Sequence, residues 1–414
     1  MLKIKNKNYL LYIFVFIVCI LYFLNLPFYS PDIIAKKVLY TTDAFRVNEV
    51  LKLSNEKVYD RDNLHPFFTL VAGTLSKIFL IVKIDGSHFF FYRTFFGSLA
   101  SLLFWRIIYK TTTLPLAFSS LSLLFSTMTV KVWSTVPETF LFSFFILMFV
   151  LNLILDKKNI ILIIFFSIWG TVTNIMLSFF YIFCFYKINS VKKLTSLIRS
   201  LFSKLLIVFF LIVILSIYQS QLYESPYVFN IFGIFAEKNH LYLHGDFVGA
   251  AFSFLYSGFL IPFNEMSLVN NFSGINQWKE FFQSYETYKL KTIFFSIIFL
   301  LLVTIFYTLS IIQSLIQKNK NFNSLIALFI LFEFLMHLVW GGDPFLYSFN
   351  YLPIIIIFFA VNLHEFNKSK QIYIKNSFLK ENLNLFIPFV FVFLSFVLLE
   401  GNISNSLWQI IISK

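Results

Sequence analysis

The sequence predicts an all-α, polytopic transmembrane protein. Three observations carry this. Of the 414 residues, 58% are hydrophobic and only 13% are charged, a balance that soluble domains of this length do not use. Apolar runs of about 20 residues, the length that crosses the hydrocarbon as a helix, recur along the whole chain. Lys and Arg outnumber Asp and Glu 33 to 20, and they gather in a few short polar connections, as cytoplasmic loops do. The net charge of +13 therefore has a membrane explanation and implies no nucleic acid.

The first run, 9–28, follows Lys3, Lys5 and Lys7. It is too long for a signal-peptide core and has no small-residue cleavage site, so it reads as an uncleaved span with its N-terminus in the cytoplasm. A polar stretch, Ser30 to Asn63, comes next and carries Asp32, Asp43, Glu49, Asp60 and Asp62. So many ionisable groups in so apolar a chain mark a place that water reaches.

Residues 65–84 are apolar enough to span but are interrupted by Gly73, Ser76, Lys77 and Lys83. Charge decides their placement. If the segment does not cross, the cytoplasmic loops hold Arg106, Lys110, Lys157, Lys158, Lys187, Lys192, Lys193, Arg199, Lys204, Lys318, Lys320 and the lysines of 368–380. If it crosses, all of these move outside, against the rule. The segment is therefore expected to lie in the outer interface.

Further spans are expected at 88–108, 113–130, 139–155, 159–173, 175–187, 203–222, 291–313, 323–340, 346–362 and 384–400, about 11 in all counting the first. The pair 159–173 and 175–187 is short and reads as a hairpin turning at Gly170 to Asn174. An odd number of spans places the C-terminus outside. The chain divides into an N-terminal module, 1–222, whose first outer loop is 29–87, and a C-terminal module, 223–414, whose large outer loop is 223–290. Within that loop Gly249 to Phe263 reads as a re-entrant or interfacial piece. Cys19 and Cys184 both lie in apolar runs, which predicts no disulfide.

Several residues on the outer side could carry chemistry. Asp43, at the membrane surface, suits a general base acting on a hydroxyl, although a solvated loop acid is the plainer alternative. Asp60 and Asp62 stand near His65, and carboxylate with imidazole suits a divalent ion; a charged turn capping the next helix fits them as well. Arg93 opens the span 88–108, where a guanidinium needs an anion, and a phosphate is the natural one. Snorkelling to the interface is its other reading. Glu138 follows Pro137 at the outer start of a helix, where an acid complements the dipole. Glu333 and His337, four apart, share one helix face inside a span, and the helix runs out into Trp340-Gly341-Gly342-Asp343-Pro344. A mutual pair that only holds helices together is the alternative there.

The order of these parts resembles the GT-C class of polytopic membrane glycosyltransferases, which includes protein mannosyltransferases and aminoarabinose transferases. The matching pieces are an acidic first outer loop, His65-Pro66-Phe67-Phe68-Thr69 opening an interfacial helix, Tyr92-Arg93-Thr94 at the next span, Val136-Pro137-Glu138 at a later one, and Asp343-Pro344-Phe345-Leu346-Tyr347-Ser348 with Pro353. The likeness covers about the first 190 residues best, with a weaker echo at 333–353.

The resemblance implies a GT-C-like helical fold with interfacial helices in the first outer loop. It also implies a polyprenyl-phosphate sugar as donor, and a glycan, lipid or protein as acceptor at the outer face of a bacterial inner membrane. It implies Asp43 as catalytic base, Arg93 and Lys131 as donor-phosphate ligands, and Glu138, His65, Glu333, His337 and Asp343 as groups shaping the site. Departures exist: Ala44 follows Asp43 where many members carry a second acid, and the second outer loop has no Asp-x-Asp. The resemblance fixes no cofactor, and a divalent metal is possible. Two competitors remain. A polysaccharide polymerase or ligase would rely on arginines in its large outer loop, and 223–290 has none. A non-enzymatic lipid or glycan transporter would have paired broken helices or a repeat, and none is seen.

Overall fold

The computed structural model describes residues 7–26, 47, 50–51, 65–81, 88–135, 138–186, 191–224, 227–228, 251, 253–259, 290–316, 321–339, 348–371 and 377–403. Every regular element among them is a helix: α1 (Lys7–Asn25), α2 (Phe68–Ile81), α3 (His88–Thr111), α4 (Leu114–Ser126), α5 (Met128–Trp133), α6 (Phe140–Leu155), α7 (Ile160–Ser167), α8 (Ile175–Phe185), α9 (Val191–Tyr223), α10 (Leu290–Ile316), α11 (Asn321–Val339), α12 (Ser348–Gln371) and α13 (Ser377–Ile403). A short 3₁₀ turn, Val172–Asn174, precedes α8, and a π turn covers Ser253–Ser257.

Among the described residues four helices are long and apolar enough to cross a membrane: Arg199–Tyr223, Ile297–Ile316, Asn321–Leu338 and Ser348–Ser369. Shorter apolar helices accompany them at Tyr9–Asn25, Phe68–Ile78, Leu114–Ser126, Phe140–Leu155, Ile175–Phe185 and Leu385–Leu399. The run expected at 113–130 is not one helix. Thr127 breaks it, with extended backbone (φ −70°, ψ 149°) and a side chain that accepts from Val130 N, as a helix N-cap does. The run expected at 159–173 is helical only to Ser167, because Gly170 turns the chain at φ +83°.

Helix α12 is the centre. It packs against α3, α4, α5, α6, α10, α11 and α13, and 83% of its apolar 18-residue stretch is buried, against 17% in α9. Helix α9 turns Phe202, Leu205, Phe209, Phe210 and Ile214 outward instead. Apolar side chains that face out all round a helix are stable only against lipid. Some hydroxyls inside the apolar helices are satisfied locally: Thr94, Thr111 and Ser395 donate to the carbonyls of Phe90, Ile107 and Phe391, each four residues back.

Contacts at helix ends give the direction of each helix. Arg93, in the second turn of α3, donates to Leu26 O just past α1 at 2.8 Å. Tyr92 donates to Glu138 O before α6 at 3.2 Å. Phe144 of α6 stacks on Phe349 of α12, and His337 near the end of α11 meets Tyr351. The end of α1, the starts of α3, α6 and α12, and the end of α11 thus share one end of the bundle, here called upper. The other end gathers Arg106, Asn152 and Asp156 from the ends of α3 and α6, and Asn323 with Asn362 from α11 and α12. The chain leaves α1 and enters α3 at the same end, so α2 does not carry it across the bundle. At 14 residues α2 is also only about 21 Å long, short of the hydrocarbon thickness.

Candidate functional site

The upper end is built by fixing both roots of the acidic first loop. The N-terminal root is Leu26, whose carbonyl accepts from Arg93 Nη2. Arg93 is 1% exposed and stands over the Phe90 ring at 5.2 Å. A guanidinium this deep is tolerated only where oxygen acceptors meet it. The C-terminal root is His65-Pro66. His65 Nδ1 donates to Gly170 O at 3.0 Å, and Gly170 N donates back to Pro66 O at 3.1 Å. A carbonyl can only accept, so this bond fixes the Nδ1–H form of the ring. Thr139 Oγ1, next to Glu138, lies 3.3 Å from the same nitrogen.

Phe67, directly after this clasp, has φ +63°. A bulky residue in the left-handed region costs on the order of 1–2 kcal/mol and persists only where neighbours over-determine it. Here they do: Phe67 is fully buried, its ring lies 4.9 Å from Trp169, and Phe68 N donates to His65 O. Between the two roots Val47, Val50 and Leu51 are helical and buried in the core, at the spacing of one helix face. Asp43 lies one helical turn's worth of chain before Val47. Asp43 itself falls outside the described residues, as do Asp60, Asp62 and Asp343.

Lys131 sits on α5, 5% exposed. Burial pushes its ammonium down to about 8, since low-polarity surroundings disfavour the charge. Helix α5 is held against the large loop: Met128 N and Thr129 N donate to Phe259 O and Gly258 O, both at 3.1 Å. Thr129 Oγ1 reaches Ser348 Oγ at 2.8 Å, so residues 253–259 are inserted between α5 and the start of α12. This is where sequence expected a re-entrant piece. The same segment carries Phe254, stacked on Tyr351 at 4.1 Å and 5.8 Å from His337. Glu333 Oε2 and His337 Nε2 stand 3.5 Å apart, with exposures of 2% and 8%.

The expected residues thus fall into two groups at one end. Arg93, Glu138 and His65 gather around the loop roots, and Glu333 and His337 gather around the inserted segment; Thr129 joins the two through Gly258 and Ser348. Sequence reasoning missed Thr139, Asn174 and Asn350. A signal existed for the asparagines, since an amide inside an apolar run needs a partner. None existed for the backbone carbonyls of Leu26 and Gly170. Among the described residues no three His, Cys, Asp or Glu side chains gather as metal ligands. No family model matches the chain, and neither a curated protein nor a solved structure is similar to it. Composition and fold define an all-helical membrane protein, and its activity must be argued from residues and geometry.

Proposed function

We propose that this chain is a membrane glycosyltransferase of GT-C type. It moves a sugar from a polyprenyl-phosphate donor to an acceptor on the outer face of the membrane. The upper end faces outward, and about eleven helices cross or enter the bilayer. The observation that carries the reading is the double anchoring of the acidic loop. Leu26 and His65 tie its roots to the end that holds buried Arg93, Glu138 and Lys131. The described roots of the loop thereby stand at the end that holds the buried cations, as transfer from a lipid phosphate needs. Sidedness rests on charge: Lys110, Lys157 and Lys158 stand at the lower end with Arg106, and cytoplasmic loops collect such residues.

In the step proposed, Asp43 takes the proton of an acceptor hydroxyl, whose oxygen attacks the anomeric carbon. The new glycosidic bond forms as the carbon–phosphate oxygen bond breaks. The electron pair leaves on the polyprenyl phosphate, where Arg93 and Lys131 balance the charge. Base and leaving group on opposite faces of the carbon give inversion, by analogy with inverting glycosidases. The test is Asp43→Ala in purified, normally inserted protein, assayed with a polyprenyl-phosphate sugar. The expected loss is roughly 10²–10⁴-fold in kcat, and transfer at the wild-type rate overturns the assignment.

A further inference from the structure

Helix α9 is longer than a bilayer core, and its surplus is basic. Its upper end is fixed against α2. Leu70 N donates to Gln219 Oε1 at 3.2 Å, the Tyr223 hydroxyl lies 3.0 Å from Thr74 Oγ1, and Lys77 Nζ stands 4.5 Å over the Tyr223 ring. A side-chain carbon on Gly73 would lie 2.6 Å from that ring, so glycine lets the two helices meet. Because α2 stays at the upper end, Tyr223 marks that surface. Helix α9 has 33 residues, about 50 Å of length, and the hydrocarbon takes up only about 20 of them. Counted down from Tyr223, the hydrocarbon ends near Lys204. Residues 191–203 therefore stand beyond it at the lower end, still in the same helix.

This foot carries Lys192, Lys193 and Arg199, with Lys204 at its boundary, and α9 contains no Asp or Glu. The positive-inside rule accounts for the number of cations here, but not for their place on the helix. Lys192 and Arg199 are seven residues apart, and Lys193 and Lys204 eleven. These spacings are close to two and three whole turns, so each pair shares one line along the helix. Ser196, Ser200 and Ser203 fall between the two lines, and Leu194, Ile198, Leu201 and Leu205 take the opposite side. The polar face is thus a strip of hydroxyls with a cationic line along each edge. Arg199, Ser200 and Ser203 are exposed and Lys204 is half-buried, while Leu201 on the other side is buried. A basic amphipathic face at headgroup depth matches a phosphate surface. Hydroxyls and cations donate to phosphate oxygens, and the cations balance the charge. A zwitterionic headgroup brings an ammonium of its own, which the strip repels.

We propose that this face of α9, edged by Lys192, Lys193, Arg199 and Lys204, is a docking surface for anionic phospholipid headgroups in the leaflet at the lower end. It lies at the opposite end from Asp43, Arg93 and Lys131 and does not depend on the transfer reaction. The test uses the full chain in bilayers, with Cys19 and Cys184 replaced and a fluorophore on Ser203→Cys. Quenching is measured with phosphatidylglycerol and with phosphatidylcholine, each spin-labelled on its acyl chain near the headgroup. The lipid beside position 203 is expected to be enriched in phosphatidylglycerol. That preference should fall about fivefold in Arg199→Gln and again in Lys204→Gln, and it should weaken as salt is raised. In Lys157→Gln/Lys158→Gln, which removes two exposed cations from the same end but not from this face, it should be unchanged. Equal quenching by the two lipids in the parent chain overturns the proposal, as does a preference that survives both single substitutions or does not respond to salt. An equal loss in the Lys157/Lys158 variant also overturns it, because the attraction then belongs to the diffuse charge of the lower end.

Discussion

At the lower end of the bundle the polar side chains close on one another. Asp156 accepts from Arg106 at 2.8 Å and from Lys110, and Arg106 also binds Asn152. Asn323 and Asn362 exchange both amide hydrogen bonds, at 2.6 and 2.8 Å, across α11 and α12. At the upper end Asn174, Glu333 and Asn350 are as deeply buried as Asn323 and Asn362, yet carry atoms without partners among the described residues. Each such atom costs about 1–3 kcal/mol relative to a satisfied one, and stability alone would favour Leu there. The charged and amide groups at the lower end thus fasten helices to one another, whereas Asn174, Glu333 and Asn350 do not; single unmatched groups occur at the lower end too, as at Trp105 Nε1 beside Arg106.

Substitutions should affect the two ends in opposite ways. The largest effect after Asp43 belongs to Arg93. Arg93→Leu removes both the proposed phosphate ligand and the tie to Leu26, and kcat/KM should fall at least 10²-fold, the scale of a buried charge-assisted contact. Arg93→Lys should recover little, because a point charge does not reproduce a two-pronged donor. Steady-state kinetics on both variants measures this. Lys131 gives a smaller effect that depends on pH. Its ammonium, pushed down to about 8 by burial, loses its charge as pH rises through that value, so donor affinity should weaken above about pH 8 and be full below it. In Lys131→Arg, which stays charged, donor KM should stay flat over pH 7–9. A slope that persists in the variant would move the effect to another group.

At the lower end the expectation is the reverse. Burial alone would raise the Asp156 carboxyl, but hydrogen bonds from Lys110 and then Arg106 hold it below the usual range. Its contribution is present above the ordinary carboxylate pKa and is lost as pH falls through the lowered one. The network is partly open to water, so Asp156→Asn should cost only about 1 kcal/mol and leave kcat unchanged. Thermal unfolding in detergent at pH 7 and at about pH 2.5, below the ordinary carboxylate range, checks the first point, and a transfer assay the second. The variant's deficit should shrink at the lower pH.

Much of this fold can be read from the sequence because lipid imposes a simple rule. An apolar run of the right length has little choice but to be a helix, and the runs from α3 to α13 announce themselves. The turn at Gly170 was legible in the short hairpin pattern; the break at Thr127 was less so, since one capping hydroxyl decides it. The candidate site was legible in its ionisable residues, because charge is rare in such a chain: Arg93, Glu138, Glu333 and His337 stand out against Phe and Ile. Its assembly was not legible. The ties to Leu26 and Gly170 are made by backbone carbonyls, which every residue has, and the insertion of 253–259 beside His337 is a long-range contact with no local signal.

Everything proposed depends on the two ends facing opposite sides of the membrane. Single cysteines at Asp43 and Lys157, in a chain whose Cys19 and Cys184 are replaced, can be probed with a membrane-impermeant maleimide in intact cells and again after permeabilisation. The account predicts that position 43 is labelled in intact cells and position 157 only after permeabilisation. Labelling of both positions under the same condition, or of 157 alone in intact cells, would contradict it.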